Sequence, residues 1–225
     1  MALKHRLAGL ALLILGLGLT TVLWPVFWSY TAAAPGDGVE RKIVDRRSDL
    51  TDREWVTLMQ SRGSAVSRMR LADHLLGLSL AKSVDAIDGQ QVDLRLVDES
   101  RQLVVEALQL APSSPSSWLR MLNLEILLAG SEDLATDYLA MAFYTGAHAP
   151  DYRMLSVRSG LILWDHLSLE ERRNTMTAMQ VAWDRKPRRA EILAMAREAG
   201  LLDVLEVSLS DSSEHLAAFE DLVQR

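Results

Sequence analysis

Between Arg6 and Tyr30 the chain reads RLAGLALLILGLGLTTVLWPVFWSY, and the stretch from Leu7 to Ser29 carries no charge. At about 1.5 Å of rise per helical residue it reaches roughly 35 Å, more than the ~30 Å of a bilayer's hydrocarbon core. The run predicts a transmembrane anchor over residues 7–30, with residues 1–6 as a short cytoplasmic tail. Trp24, Phe27, Trp28 and Tyr30 close it with an aromatic cluster of the kind that settles at a membrane–water boundary. A cleaved signal peptide is the competing reading, because Lys4 and Arg6 give a short positive region and Ala32-Ala33-Ala34 a small-residue cut site. The length of the run, its aromatic end and Pro35 just past the cut site favour a retained anchor.

Lys4, Arg6 and the amino terminus favour an N-terminus inside the cell. Arg41, Lys42, Arg46 and Arg47 oppose it, but they lie beyond the aromatic belt and are interleaved with Glu40 and Asp45. The expected arrangement is a single pass through a bacterial inner membrane, with the remaining domain in the periplasm. Gly9, Gly16 and Thr20 fall on roughly one face of the anchor, with Gly18 nearby, a spacing that lets a second transmembrane helix approach closely. The plainer account is that glycine is common in membrane helices.

The 30 acidic and 24 basic side chains leave a net charge of -6, without the concentrated basic face that nucleic-acid binding requires. Cysteine is absent, which removes disulfides, thiolate metal sites and a cysteine nucleophile. The histidines His5, His74, His148, His166 and His215 are scattered, none in the paired helical spacing of a zinc site. There is no GxSxG, no phosphate loop and no dinucleotide fingerprint in the domain. No metal, cofactor or catalytic residue is therefore expected.

Thr31 to Gly38, TAAAPGDG, has the composition of a linker, which is expected over residues 31–47. A helical domain follows over 48–225. Thr51 with Glu54, and Ser168 with Glu171, have the spacing of capping boxes. Gly63 is expected to part a helix ending near Gln60 from one over Ser64–Lys82, and Asp88-Gly89 to precede a helix over Val92–Leu110. Later helices are expected to start near Ser131, Asp151, Ser168 and Pro187, the last closed by Gly200, with two short ones over Leu201–Leu209 and Glu214–Val223. No strand-like alternation stands out, so the fold class is all-α.

Ser100, Val104 and Ala107, then Pro112, then Trp118, stand at the spacing of a junction between tetratricopeptide repeats, which the chain resembles over about one repeat. In that pattern small residues bring paired helices together, the proline ends the helix and the tryptophan fills the space between stacked pairs. The resemblance implies a right-handed α-hairpin solenoid with irregular C-terminal helices, because Pro150 follows Pro112 at a longer interval than the regular repeat. It also implies protein docking rather than catalysis, with an integral membrane protein of the envelope as partner. Leu163-Trp164-Asp165 is similar to a helix end in accessory proteins of surface-polysaccharide assembly, which points to polysaccharide polymerisation or export. Two alternatives stay open. One is an envelope hydrolase or transferase with a dispersed site at Asp165, His166 and Glu170. The other is a module for an anionic glycan, using Arg185, Lys186, Arg188 and Arg189; a solvated helix face is the plainer account of that cluster.

Overall fold

A computed structural model describes the backbone over residues 2–44, 50–88, 91–128, 130–146 and 150–224, and the side chains of those residues except 2–14, 22, 44, 88, 150 and 151. The chain is all-helical apart from one ladder of two-residue strands among the described residues. It divides into two compact units, Met1–Leu110 and Ala111–Arg225.

The first unit contains α1 (Ala2–Val44), α2 (Asp52–Arg68), α3 (Ala72–Asp85) and α4 (Leu94–Leu110); β1 (Ile87–Asp88) and β2 (Gln91–Val92) pair antiparallel between α3 and α4. Over residues 31–44 the expected linker is helix, since α1 runs without a break through Pro35 to Val44; the rest of it lies outside the described residues. An interior proline costs about 3 kcal/mol in an isolated helix, so packing must offset it. Ser29, Ala33, Gly36 and Val39 form a buried stripe at helical spacing. A side chain at Gly36 would meet Ser61 and Leu58 of α2. The small residues that suggested a loose tether are the ones that let α2 lie close against α1.

α2 begins as the Thr51–Glu54 pair dictates. The Thr51 hydroxyl accepts from the Glu54 amide at 3.3 Å, and the Glu54 carboxylate accepts from the Thr51 amide at 3.0 Å. Lys42 of α1 also donates to Glu54, and chiefly through that bond holds its carboxyl down to about 2. The expected break at Gly63 does not occur. A side chain there would meet open space, so the glycine costs about 1 kcal/mol of helix propensity and imposes no turn. The chain instead leaves the helix at Met69, with φ -156° and ψ 125°, and re-enters one at Ala72.

Arg62 joins three helices. Its side chain is only 8% exposed and pairs with Asp37 at 2.9 Å and with Glu40, both on α1. Its stem lies over Gly77 of α3, where a Cβ would stand 2.9 Å from Arg62 Cδ. On the far side of α3, the Ser100 hydroxyl of α4 donates to the Ser79 carbonyl at 2.8 Å, and Ala107 packs with Val66 and Leu75.

The second unit contains α5 (Pro115–Leu127), α6 (Glu132–Gly146), α7 (Pro150–Ile162), a 3₁₀ turn over Trp164–His166, α8 (Leu169–Trp183), α9 (Lys186–Glu198), α10 (Leu202–Leu209) and α11 (Ser213–Gln224). Ser168 and Glu171 form the second capping box, at 2.7 and 3.3 Å. Gly200 has φ 71°, and Leu201 N–H closes onto the Ala196 carbonyl at 2.8 Å, the αL ending that favours glycine. Leu119, Leu122, Leu139, Leu163 and Leu167 form one core, while Val157, Met179, Trp183, Ile192, Leu205 and Phe219 form the other. α7 crosses α8 at Gly160, where an added Cβ would overlap the buried Thr175.

Two stability outcomes follow. Arg62→Ala strands Asp37 and Glu40 beside a cavity and lowers the unfolding free energy by about 2 kcal/mol, read from denaturant unfolding of the full chain. Gly160→Ala forces α7 off α8 and costs about 1–3 kcal/mol by the same measurement.

Candidate functional site

Every described residue of α1 from Leu15 to Pro25 is exposed, on all sides of the helix. Leu15 is 61% exposed and Leu23 57%. The two threonines in this stretch return their hydroxyls to their own helix, Thr20 to the Gly16 carbonyl and Thr21 to the Gly18 carbonyl, both at 2.8 Å. The surface is thus apolar all round, with both threonine hydroxyls satisfied within the helix. Among the described residues no helix is long and apolar enough to cross a membrane. The side chains of residues 7–14, the first part of the expected anchor, lie outside the described residues.

Of the residues expected to meet a second transmembrane helix, Gly9 has a described backbone only, within α1. Gly16 and Thr20 are exposed, and a Cβ at Gly16 would touch nothing within 4 Å. The aromatic residues stand where the apolar stretch ends. Trp24 and Trp28 meet edge to face at 5.7 Å, and Phe27 lies 6.2 Å from each of them. Arg68, at the end of α2, places its guanidinium 5.9 Å from the Trp28 ring centre, and with Pro25 the two line an open recess.

Just above this level lies a polar cluster that the sequence did not single out. The Tyr30 hydroxyl donates to Asp73 at 3.2 Å and its ring meets the buried His74 at 4.7 Å. Ser29 donates its one proton to the Val26 carbonyl at 2.7 Å, so at 3.0 Å it accepts from His74 Nε2–H; the network assigns that tautomer. Burial pushes the imidazole below its ordinary value, the Arg62 charge adds to that, and Asp73 and Asp37 oppose it.

In the repeat-like set, Ser100, Val104 and Ala107 are fully buried along α4 in the first unit. Pro112 lies in the turn that opens the second unit, and its carbonyl accepts from Trp118 Nε1 at 2.9 Å. Trp118 stacks on Tyr138 of α6, within its own helix pair, at 6.1 Å.

The basic cluster is divided. Arg188 pairs with Glu191 at 2.8 Å. Arg189 donates to the Trp183 carbonyl at 2.9 Å and lies over the Trp183 ring, closing the end of α8. Arg185 and Lys186 remain exposed. The residues of the dispersed-site reading also part company. Asp165 lines a pocket of about 220 Å³ with Arg158, Trp164 and Glu198, His166 pairs with Glu132 at 3.0 Å, and Glu170 lines a separate groove. That groove, about 800 Å³ between α6, α7 and α8, is edged by Met141, Phe143, Val181 and the 85%-exposed Tyr144.

His215 pairs with Asp184 at 3.1 Å. His148 lies outside the described residues, as does the side chain of His5. Among the described residues no group of three metal-ligating side chains converges. No protein-family model matches the chain, and no curated protein matches it.

A histidine whose folded value is depressed leaves the unfolded chain binding more protons, so its stability is whole above about 6.5 and is lost as pH falls below it. The unfolding midpoint of the full chain is therefore expected to drop on acidification through that value. In His74→Gln, which keeps a donor for Ser29 but does not titrate, the slope flattens.

Proposed function

We propose that the chain is a membrane-anchored helical-repeat scaffold that binds a protein partner in a bacterial envelope assembly. The observation that carries the anchor is the shaft of α1, apolar on every side and uncovered by protein from Leu15 to Pro25, with its aromatic collar at Trp24, Phe27 and Trp28. Water does not favour so long an apolar surface on a single helix, whereas lipid does. With residues 7–14 of the same uncharged run added, the length suits one pass of a bilayer. Lys4, Arg6 and the amino terminus lie directly against the apolar run, whereas Arg41, Lys42, Arg46 and Arg47 begin about ten residues beyond the aromatic cluster. In this reading that placement puts the N-terminus inside and the helical domain in the periplasm, with the anchor in the inner membrane.

The scaffold role rests on the tetratricopeptide-like set at Ser100, Val104, Ala107, Pro112 and Trp118, and on consecutive helix hairpins in both units. In this reading the hairpins stack in the right-handed sense of that family. The partner is an integral membrane protein of polysaccharide polymerisation or export, a proposal supported by the Leu163-Trp164-Asp165 helix end alone.

Two measurements test this. Carbonate washing of native membranes should leave the full chain in the pellet and release a chain lacking Met1–Leu23, a cut that spares the folded contacts of Ser29 and Tyr30. Crosslinking in the same membranes should recover a polytopic glycan polymerase or exporter with the full chain; recovery of no such protein removes the scaffold proposal.

A further inference from the structure

α2 runs back along α1 toward the apolar shaft, from Glu54 beside Lys42 to Arg68 beside Trp28. Two arginines close that end of the first unit, and their surroundings differ. Arg70 is held by both oxygens of Glu106. Arg68 has no carboxylate partner among the described residues and is exposed over Trp28, beside Pro25. The nearby Asp73 is engaged by Tyr30. A lone guanidinium over an indole ring, at the edge of an apolar shaft, is a cation lacking its anion.

The depth of that cation names the anion. Counted from Leu7 at about 1.5 Å per residue, a hydrocarbon core of ~30 Å ends near residue 27. Trp28 and Arg68 fall just beyond, within the polar layer of roughly 5–8 Å that separates hydrocarbon from water on each side. Tryptophan favours that layer, and arginine reaches into it by laying its stem along apolar surface. The anions present there in quantity are the phosphodiesters of phospholipids, which a guanidinium fork binds well.

We infer that Arg68, with Trp28 and Pro25, forms a seat for a phospholipid headgroup phosphate in the periplasmic leaflet, which holds the first unit against the membrane surface. The inference rests on the anchor reading above. It gives Arg68 a role that helix packing does not, and it sets the height of α2 and α3 over the bilayer.

The chain has no native cysteine, so single nitroxide labels at Leu17→Cys and Ser67→Cys report two depths without interference. Both positions are exposed. The full chain would be placed in phosphatidylglycerol–phosphatidylcholine vesicles and each label's collisions with oxygen and with a water-soluble nickel chelate compared. The expected result is a label at position 17 inside the hydrocarbon and one at position 67 at phosphate depth. Arg68→Glu then shifts the position 67 label into water, Arg68→Gln shifts it less, and neither moves the label at 17. A deep label at 17 with a label at 67 that is already in water, or that ignores both Arg68 variants, overturns the headgroup seat and leaves the anchor standing. A label at 17 that meets the nickel chelate freely overturns the anchor, and the seat with it.

Discussion

The first unit depends on one buried guanidinium. Arg62 is enclosed by α1, α2 and α3, yet among the described residues its charge is met from α1 alone, by Asp37 and Glu40. A buried cation with a missing partner is expensive, so the pairing fixes which turn of α1 must lie beside the middle of α2. That register places Gly36 under Ser61, Lys42 at Glu54, and Trp28 at Arg68. Gly77 completes the arrangement by leaving α3 without a side chain where the arginine stem passes.

Much of the helix plan could be read from local chemistry. Thr51 with Glu54, and Ser168 with Glu171, act within a single turn, and Gly200 ends α9 through its own backbone, so none of them needs a distant partner to be recognised. The readings that went astray needed such partners. TAAAPGDG has the composition of a tether, and only the facing surface of α2 turns its alanine and glycine into an interface. Gly63 looks like a stop but faces open space, so nothing makes its conformational freedom count.

The candidate site divides in the same way. The aromatic cluster at Trp24, Phe27 and Trp28 was legible because its members lie within one turn or so of the same helix, and the structure shows them exposed and in ring contact. The four-residue basic cluster at Arg185 to Arg189 was legible in part: Glu191, which pairs with Arg188, dilutes it in the sequence as well, whereas the Trp183 carbonyl that engages Arg189 is set by the fold. The surroundings of Arg68 and His74 were illegible for the complementary reason. Each acquires its environment from α1, more than 35 residues earlier in the chain.

The unbroken helix from the leucine shaft to Val44 has a mechanical consequence. A flexible tether would decouple its two ends, whereas α1 is one continuous helix whose C-terminal half is held by Arg62, His74 and Glu54. On the proposed reading, torque or axial displacement applied to the shaft would reach α2 and α3 through that continuous helix. On the proposed anchor reading, the shaft works as a drive shaft as well as a mooring.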